Sequence, residues 1–160
     1  MQKIIELVPL KKRSLSSIAR GEHPIMAGYV PEEGWPSEEL IEAASILYND
    51  KVHGGYEEPV GAWGVVISST KKVIGDVGLV PSAETEGTLK MGYTIVPSMR
   101  GKGYGNLAVK TLLEEMEVGP WRVIAEVTSS NISSRKVLAN NGFERVDLKG
   151  GIEIWEYRKR

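Results

Sequence analysis

Residues Arg100 to Gly105, RGKGYG, have the composition of an anion cradle. Glycines at alternate positions, Gly101, Gly103 and Gly105, let the backbone turn tightly and bring successive N–H groups against a ligand with no Cβ in the way. An amphipathic segment, Asn106 to Glu117, follows directly. As a helix it would aim its unpaired first-turn N–H groups and positive dipole end at the same anion, an effect typically worth about 0.3–1 kcal/mol per charge. Arg100 and Lys102 add charge from the loop itself, so a pyrophosphate suits it. Such a turn also serves a plain strand-to-helix reversal. Its G-x-G-x-G spacing departs from the G-x-G-x-x-G of dinucleotide-binding turns, and it lacks the Lys-Ser/Thr ending of a P-loop.

The elements that must position this loop are read from periodicity. Thr88 to Val96 is an expected strand, with Met91, Tyr93 and Ile95 on one side and Gly92, Thr94 and Val96 on the other, until Pro97 removes a donor. The helix after the loop places Val109, Leu112, Leu113 and Met116 on one face and stops near Gly119-Pro120. Trp121 to Val127 reads as a strand and Ser133 to Asn140 as a short helix ended by Gly142. Phe143 to Leu148 and Gly151 to Arg158 form a closing hairpin.

Upstream, Ile4 to Val8 is a strand and Ser14 to Arg20 a helix ended by Gly21, while repeated Pro and Gly make residues 21–36 a loop or short turns. Ser37 is an N-cap ahead of Glu38 and Glu39, and Leu40, Ile41, Ala44, Leu47 and Tyr48 mark a helical face. A loop over 50–60 leads into strands Ala62 to Ser68 and Lys72 to Val80. The order β-α-α-β-β-β-α-β-α-β-β makes a mixed α/β domain over residues 1–160, with one parallel crossover inside an otherwise antiparallel sheet.

With 160 residues, 41% of them hydrophobic, the chain has the size of one domain with a proper core. Twenty basic against 21 acidic side chains leave a net charge of -1, so no global field draws it to DNA or to an anionic membrane. Zero cysteines exclude thiolate chemistry and disulfides, and His23 and His53 are too far apart for a helical metal pair, so no metal is expected. The start shows no cleavage pattern and no long apolar run occurs, which makes the cytoplasm the expected address.

The tract MGYTIVPSMRGKGYGNLAVKTLL, which carries RGKGYG directly after the fourth main strand, and NISSRKVLANNGF after the fifth resemble the GNAT superfamily of acyl-CoA-dependent N-acetyltransferases, most of all its ribosomal-protein N-terminal acetyltransferase branch. The resemblance covers most of the chain and implies a mostly antiparallel sheet of six to seven strands flanked by about four helices. It also implies acetyl-CoA as co-substrate and a primary amine, on a protein N-terminus or a small molecule, as acceptor. The family pattern Arg/Gln-x-x-Gly-x-Gly/Ala falls on Arg100, Gly103 and Gly105, and the whole loop with Gly101, Lys102, Tyr104 and Asn106 would hold the coenzyme pyrophosphate. By the same resemblance the backbones of Ile95 and Val96 run beside the pantetheine arm, Asn131 bonds its amides, Ser134 lies near the thioester sulfur, and Arg135 with Lys136 reaches the adenosine phosphates.

Departures from the pattern matter equally. The tyrosine that many members carry four residues after Ser134 is here Leu138, which leaves Ser134 as the candidate proton donor by resemblance. Glutamates that the branch often carries are replaced by Lys90 and Leu107, so an evident general base is missing. A protein α-amine is about a tenth neutral at pH 7, against roughly one in 2,500 for a lysine amine, so weak base assistance suffices for the former. Glu126 is the first carboxylate to test, then Glu84 and Glu86, each of which also reads as a solvated charge. Trp35, Tyr29 and Trp63 are either walls of an acceptor pocket or ordinary packing aromatics, while His23 and His53 read as surface residues. Tyr93 reads as a packing residue and Asn131 also as a helix cap. Two other readings stay open, a non-catalytic acyl-CoA sensor and a nucleotide-binding regulatory domain. Nothing in the sequence fixes whether the protein is a monomer or a homodimer.

Overall fold

A computed structural model describes residues 3–24, 26–48 and 59–158. The chain runs β1 (Ile5–Pro9), α1 (Lys12–Ala19), β2 (Val30–Pro31), α2 (Glu38–Tyr48), β3 (Gly61–Ile67), β4 (Lys72–Pro81), β5 (Thr88–Ile95), a 3-10 turn (Pro97–Met99), α3 (Tyr104–Glu115), β6 (Arg122–Thr128), α4 (Ile132–Asn140), β7 (Phe143–Lys149) and β8 (Ile152–Tyr157). The expected order holds, with one addition. Inside the segment expected to be loop or turns, β2 pairs in parallel with Lys72 and Val73 of β4. Its reason is the length of β5, which stops at Ile95 opposite Gly75 and leaves the first residues of β4 without a neighbour on that edge. The sheet therefore has eight strands, β1-β3-β4-β5-β6-β8-β7 with β2 beside β4, rather than six to seven.

The helices follow their local chemistry. Ser37 caps α2 by accepting a hydrogen bond from the Leu40 N–H at 3.1 Å, and Glu38 and Glu39 occupy its first turn. Helix α3 starts two residues before the expected Asn106 because Gly103, at φ 85°, already supplies the left-handed turn into it. Ala108, Val109 and Leu112 of α3, Leu138 of α4 and Ile18 of α1 are buried against sheet residues such as Val65, Val77, Leu79 and Leu89. The loop expected over 50–60 falls largely on residues 49–58, outside the described residues.

The parallel crossover lies where the site needs it. Strands β5 and β6 pair only from Thr88 to Lys90 against Arg122 to Ile124, and β6 continues along β8 while β5 leaves it. The parting begins at Met91, well before Pro97. It leaves a wedge whose one wall is the free edge of β5 and whose mouth is the glycine loop.

Candidate active site

The loop has the geometry of an anion cradle. Gly101 and Gly103 have φ of 76° and 85°, and a Cβ built on either would meet no atom within 4 Å. Among the described residues, no backbone carbonyl accepts from the N–H groups of Gly101 through Asn106, and the first helical bond runs from the Leu107 N–H to the Gly103 carbonyl at 3.1 Å. The amides therefore keep their bonding capacity for a ligand. Gly105 serves another purpose: a Cβ there would lie 2.9 Å from Cε2 of Tyr93, so its glycine lets α3 pack on β5. Gly105→Ala is accordingly expected to cost about 1–3 kcal/mol of stability through overpacking, read as a lower thermal midpoint, and to weaken coenzyme affinity only secondarily.

A cavity of about 470 Å³ extends from this loop into the wedge. Gly101, Gly103, Tyr104, Gly105 and Asn106 line it from the loop and the start of α3, together with Arg100. Ile95 and Val96 line it from the end of β5, and Asn131 and Ser134 from α4. Lys102 is exposed on the loop and does not line the cavity, nor does Arg135. The Arg135 Nε sits 3.1 Å from Oε1 of Glu153, whose other oxygen is 3.4 Å from Arg145. Burial pushes the Glu153 carboxyl up, but the Trp155 N–H, the Arg135 charge and the Ser129 hydroxyl together hold it below its usual range. Arg135 thus neutralises a buried carboxylate instead of reaching into the cleft.

Backbone polarity along β5 can be read from one bond. The Val96 N–H donates to the Ile74 carbonyl at 2.8 Å, so it is committed to the sheet. Antiparallel pairing alternates, so Ile95, opposite Gly75, points its own N–H and carbonyl toward the wedge, as does Tyr93. The Ile95 carbonyl already accepts from Arg100 Nε at 2.8 Å, which ties the glycine loop to the strand end. Of the two expected backbone contributors, Ile95 has its N–H toward the cavity and Val96 does not.

Two hydroxyls meet inside the wedge. Tyr93 Oη and Ser134 Oγ lie 3.0 Å apart, and either can donate. Burial pushes the Tyr93 phenol above its usual value against the lowering effect of Ser134, so it is a neutral phenol at physiological pH. Asn131 caps α4, its Oδ1 accepting from the Ser134 N–H at 3.1 Å, which fixes Ser134, and Asn131 itself lines the cleft. Asn106 is held by Asn141 Nδ2 at 3.0 Å, joining the start of α3 to the end of α4.

Across the parted strands a second cavity, of about 390 Å³, shares Tyr93, Thr94, Asn131 and Ser134 with the first. Its walls are mainly apolar, with Leu40, Val77, Met91 and Val127 among them. Glu126 faces it from β6, but its Oε1 is 2.7 Å from Lys90 Nζ in a half-exposed ion pair. Asp76 of β4 also faces it and is 6% exposed, its Oδ2 accepting from Trp35 Nε1 at 3.1 Å and from the Thr94 hydroxyl at 2.8 Å. Burial pushes this carboxyl up to about 7, against the Thr94 and Trp35 hydrogen bonds and with help from the Glu39 charge.

The match to known proteins agrees with this geometry. The family model "Acetyltransferase (GNAT) domain" matches residues 5–144. The chain belongs to the GNAT acetyltransferase family. Its relatives include the uncharacterized N-acetyltransferase YjdG of Bacillus subtilis, 25% identical over 134 residues, 81% of this chain and 79% of that one. In fold, this GNAT chain is similar to yncA of Salmonella typhimurium, solved with its cofactor acetyl-CoA, at a TM-score of 0.63 and 14% identity over 98% of this chain and 94% of that one. It is also similar to the ribosomal-protein-S5-alanine acetyltransferase of Vibrio fischeri, at a TM-score of 0.57 and 18% identity over 98% and 93%. As a GNAT protein it is an acyltransferase that moves the acetyl group of acetyl-CoA to an amine.

The GNAT frame also shows what sequence reading left out. Asp76 was legible as one acid inside the apolar run VIGDVGLV, a lone carboxylate that a buried strand has to satisfy. The Tyr93–Ser134 pair had no such signal, because 41 residues separate its members. Glu84 and Glu86 are exposed in the turn between β4 and β5 and face neither cavity. Trp35 is buried beside the first cavity, Trp63 packs over Gly61, and Tyr29 is half-buried against the core. His23 is exposed, and His53 lies outside the described residues. Among the described residues no cluster of His, Asp and Glu is placed to hold a metal, and no helix is long and apolar enough to cross a membrane.

Proposed function

We propose that this GNAT chain acetylates a primary amine on a protein N-terminus or a small molecule by direct transfer, with Ser134 as proton donor. The observation that carries this reading is the joining of unbonded loop amides to a free strand edge that ends at a pair of hydroxyls. The amides of Gly101 to Asn106 and the Arg100 and Lys102 charges take the coenzyme phosphates. The β5 edge and the Asn131 amide hold the pantetheine arm by strand-like hydrogen bonds. The Ile95 N–H, turned toward the wedge, meets the thioester oxygen as it gains charge. Ser134 gives its proton to the departing thiolate and is resupplied by Tyr93, so the phenol absent at Leu138 comes from β5 instead of α4. A fold shared with a ribosomal-protein-S5-alanine acetyltransferase supports the N-terminal acceptor, and the apolar second cavity has room for the residue that bears the amine.

Free-thiol release with a panel of peptides and small amines tests this reading. Ser134→Ala is expected to lower kcat by about 100-fold and Tyr93→Phe by less, with coenzyme affinity within about threefold of wild type. Equal losses in both quantities would make Ser134 a binding residue. Tight coenzyme binding with no thiol release from any amine would favour the acyl-CoA sensor.

A further inference from the structure

We infer that Asp76 is the general base that receives the proton of the acceptor amine, an assignment that rests on the transferase reading above. The geometry begins with an imbalance. Asp76 is a buried carboxylate with two neutral donors and, among the described residues, no ion-pair partner. A buried carboxylate without a countercharge is costly, and one that fronts a cavity invites a cation into it. A protonated amine is that cation.

Its position relative to the coenzyme site is the second argument. Asp76 stands opposite Thr94 in the β4–β5 register, and the neighbouring residues Tyr93 and Ile95 turn their backbone groups into the wedge. The Thr94 hydroxyl lies between Asp76 and Ser37, the cap of α2, so the carboxylate is held by strand and helix together. The Tyr93 ring packs toward α3 while Thr94 bonds toward the start of α2, which places the proton donor and Asp76 on opposite sides of β5. An amine entering the second cavity has Asp76 on one side and the thioester on the other. The bound ammonium first loses one proton through Asp76 to solvent, and the neutral nitrogen then attacks the acetyl carbon, so that the C–N bond forms and the C–S bond breaks. The nitrogen's proton goes to Asp76, and the thiolate takes one from Ser134. Solvent then removes the proton from Asp76 and, through Tyr93, restores the one on Ser134.

The groups that face Asp76 leave it suited to this task. Trp35 and Ser37 come from the segment before α2, Glu39 from α2 itself, Thr94 from β5, and Gly64, opposite it on β3, has no side chain. Glu126 lies on the far wall with its charge shared by Lys90. Burial and Glu39 raise the Asp76 carboxyl to about 7, where a carboxylate is both present and basic enough to matter.

The test is the pH dependence of kcat at saturating acetyl-CoA and amine, with two acceptors whose amine pKa values differ. Wild type is expected to show an acidic limb near pH 7 that stays in place when the acceptor changes. Asp76→Asn, which keeps an oxygen for Trp35 and Thr94, is expected to lose about 100-fold or more in kcat, lose that limb, and keep its coenzyme affinity. A normal kcat, or a lowered kcat with the limb retained, overturns the assignment and leaves Asp76 as a structural acid. Thr94→Val gives an independent readout, because removing a hydrogen bond to the carboxylate should move the limb to higher pH; an unmoved limb also overturns it. Wild type that releases no thiol with any amine defeats the transferase reading itself, whereas active wild type with an unaffected Asp76→Asn defeats Asp76 alone.

Discussion

Gly103→Val is expected to weaken coenzyme A binding by about 100-fold or more, measured by calorimetry, while the protein still folds. Two effects act at this position. A β-branched residue at φ 85° pays for a left-handed conformation, at roughly 1–2 kcal/mol. Its side chain also projects into space where no protein atom lies within 4 Å, the space the cradle keeps beside its unbonded amides. The first effect lowers stability anywhere in the chain, and only the second is specific to a ligand. Gly87 separates them, since it has φ 75° and equally open surroundings but sits in the turn between β4 and β5, away from both cavities. Gly87→Val should reproduce the loss of thermal stability and leave coenzyme affinity intact. Equal affinity losses in the two variants, or none at Gly103, would remove the phosphate from this loop.

What the sequence made legible is what local chemistry encodes. The glycine loop, the Ser37 cap, the buried stripe of α3 and the closing hairpin each depend on residues within a turn or a strand of one another. The departures arise where distant residues decide. Strand β2 exists because β5 is too short to cover the start of β4, which no motif near Val30 reports. Arg135 carries the charge expected of a phosphate ligand, and its ion pair with the buried Glu153 of β8 is something that no motif around it reports. Glu126 and Lys90 face each other across β5 and β6, so the lysine at the branch's usual glutamate position and the leading candidate base form one ion pair. Gly105, read as part of the anion cradle, also answers to the Tyr93 ring.

Asp76→Asn should stabilise the folded protein at alkaline pH even as it removes the proposed base. The sign follows from linkage. The unfolded chain loses the Asp76 proton near pH 4, whereas burial first, and Glu39 second, hold it in the folded protein up to about 7, despite Thr94 and Trp35. Between these values the folded state binds more protons than the unfolded state, so the contribution of Asp76 to stability falls as pH rises through that window and stays low above it. A shift of about three units sets a ceiling of about 4 kcal/mol on the penalty at pH 8. Asparagine has no such proton to lose and retains an acceptor for both donors. Urea unfolding at pH 4 and pH 8 isolates the effect, because the titrating groups that do not interact with Asp76 cancel in the double difference between variant and wild type, and Glu39 remains coupled to it. The variant's advantage should grow by a few kcal/mol from the lower to the higher pH, and parallel profiles would mean that Asp76 titrates normally. A gain in stability and a loss of the kinetic limb from one substitution would then have one cause, an ionised carboxylate kept in a desolvated place where the amine arrives.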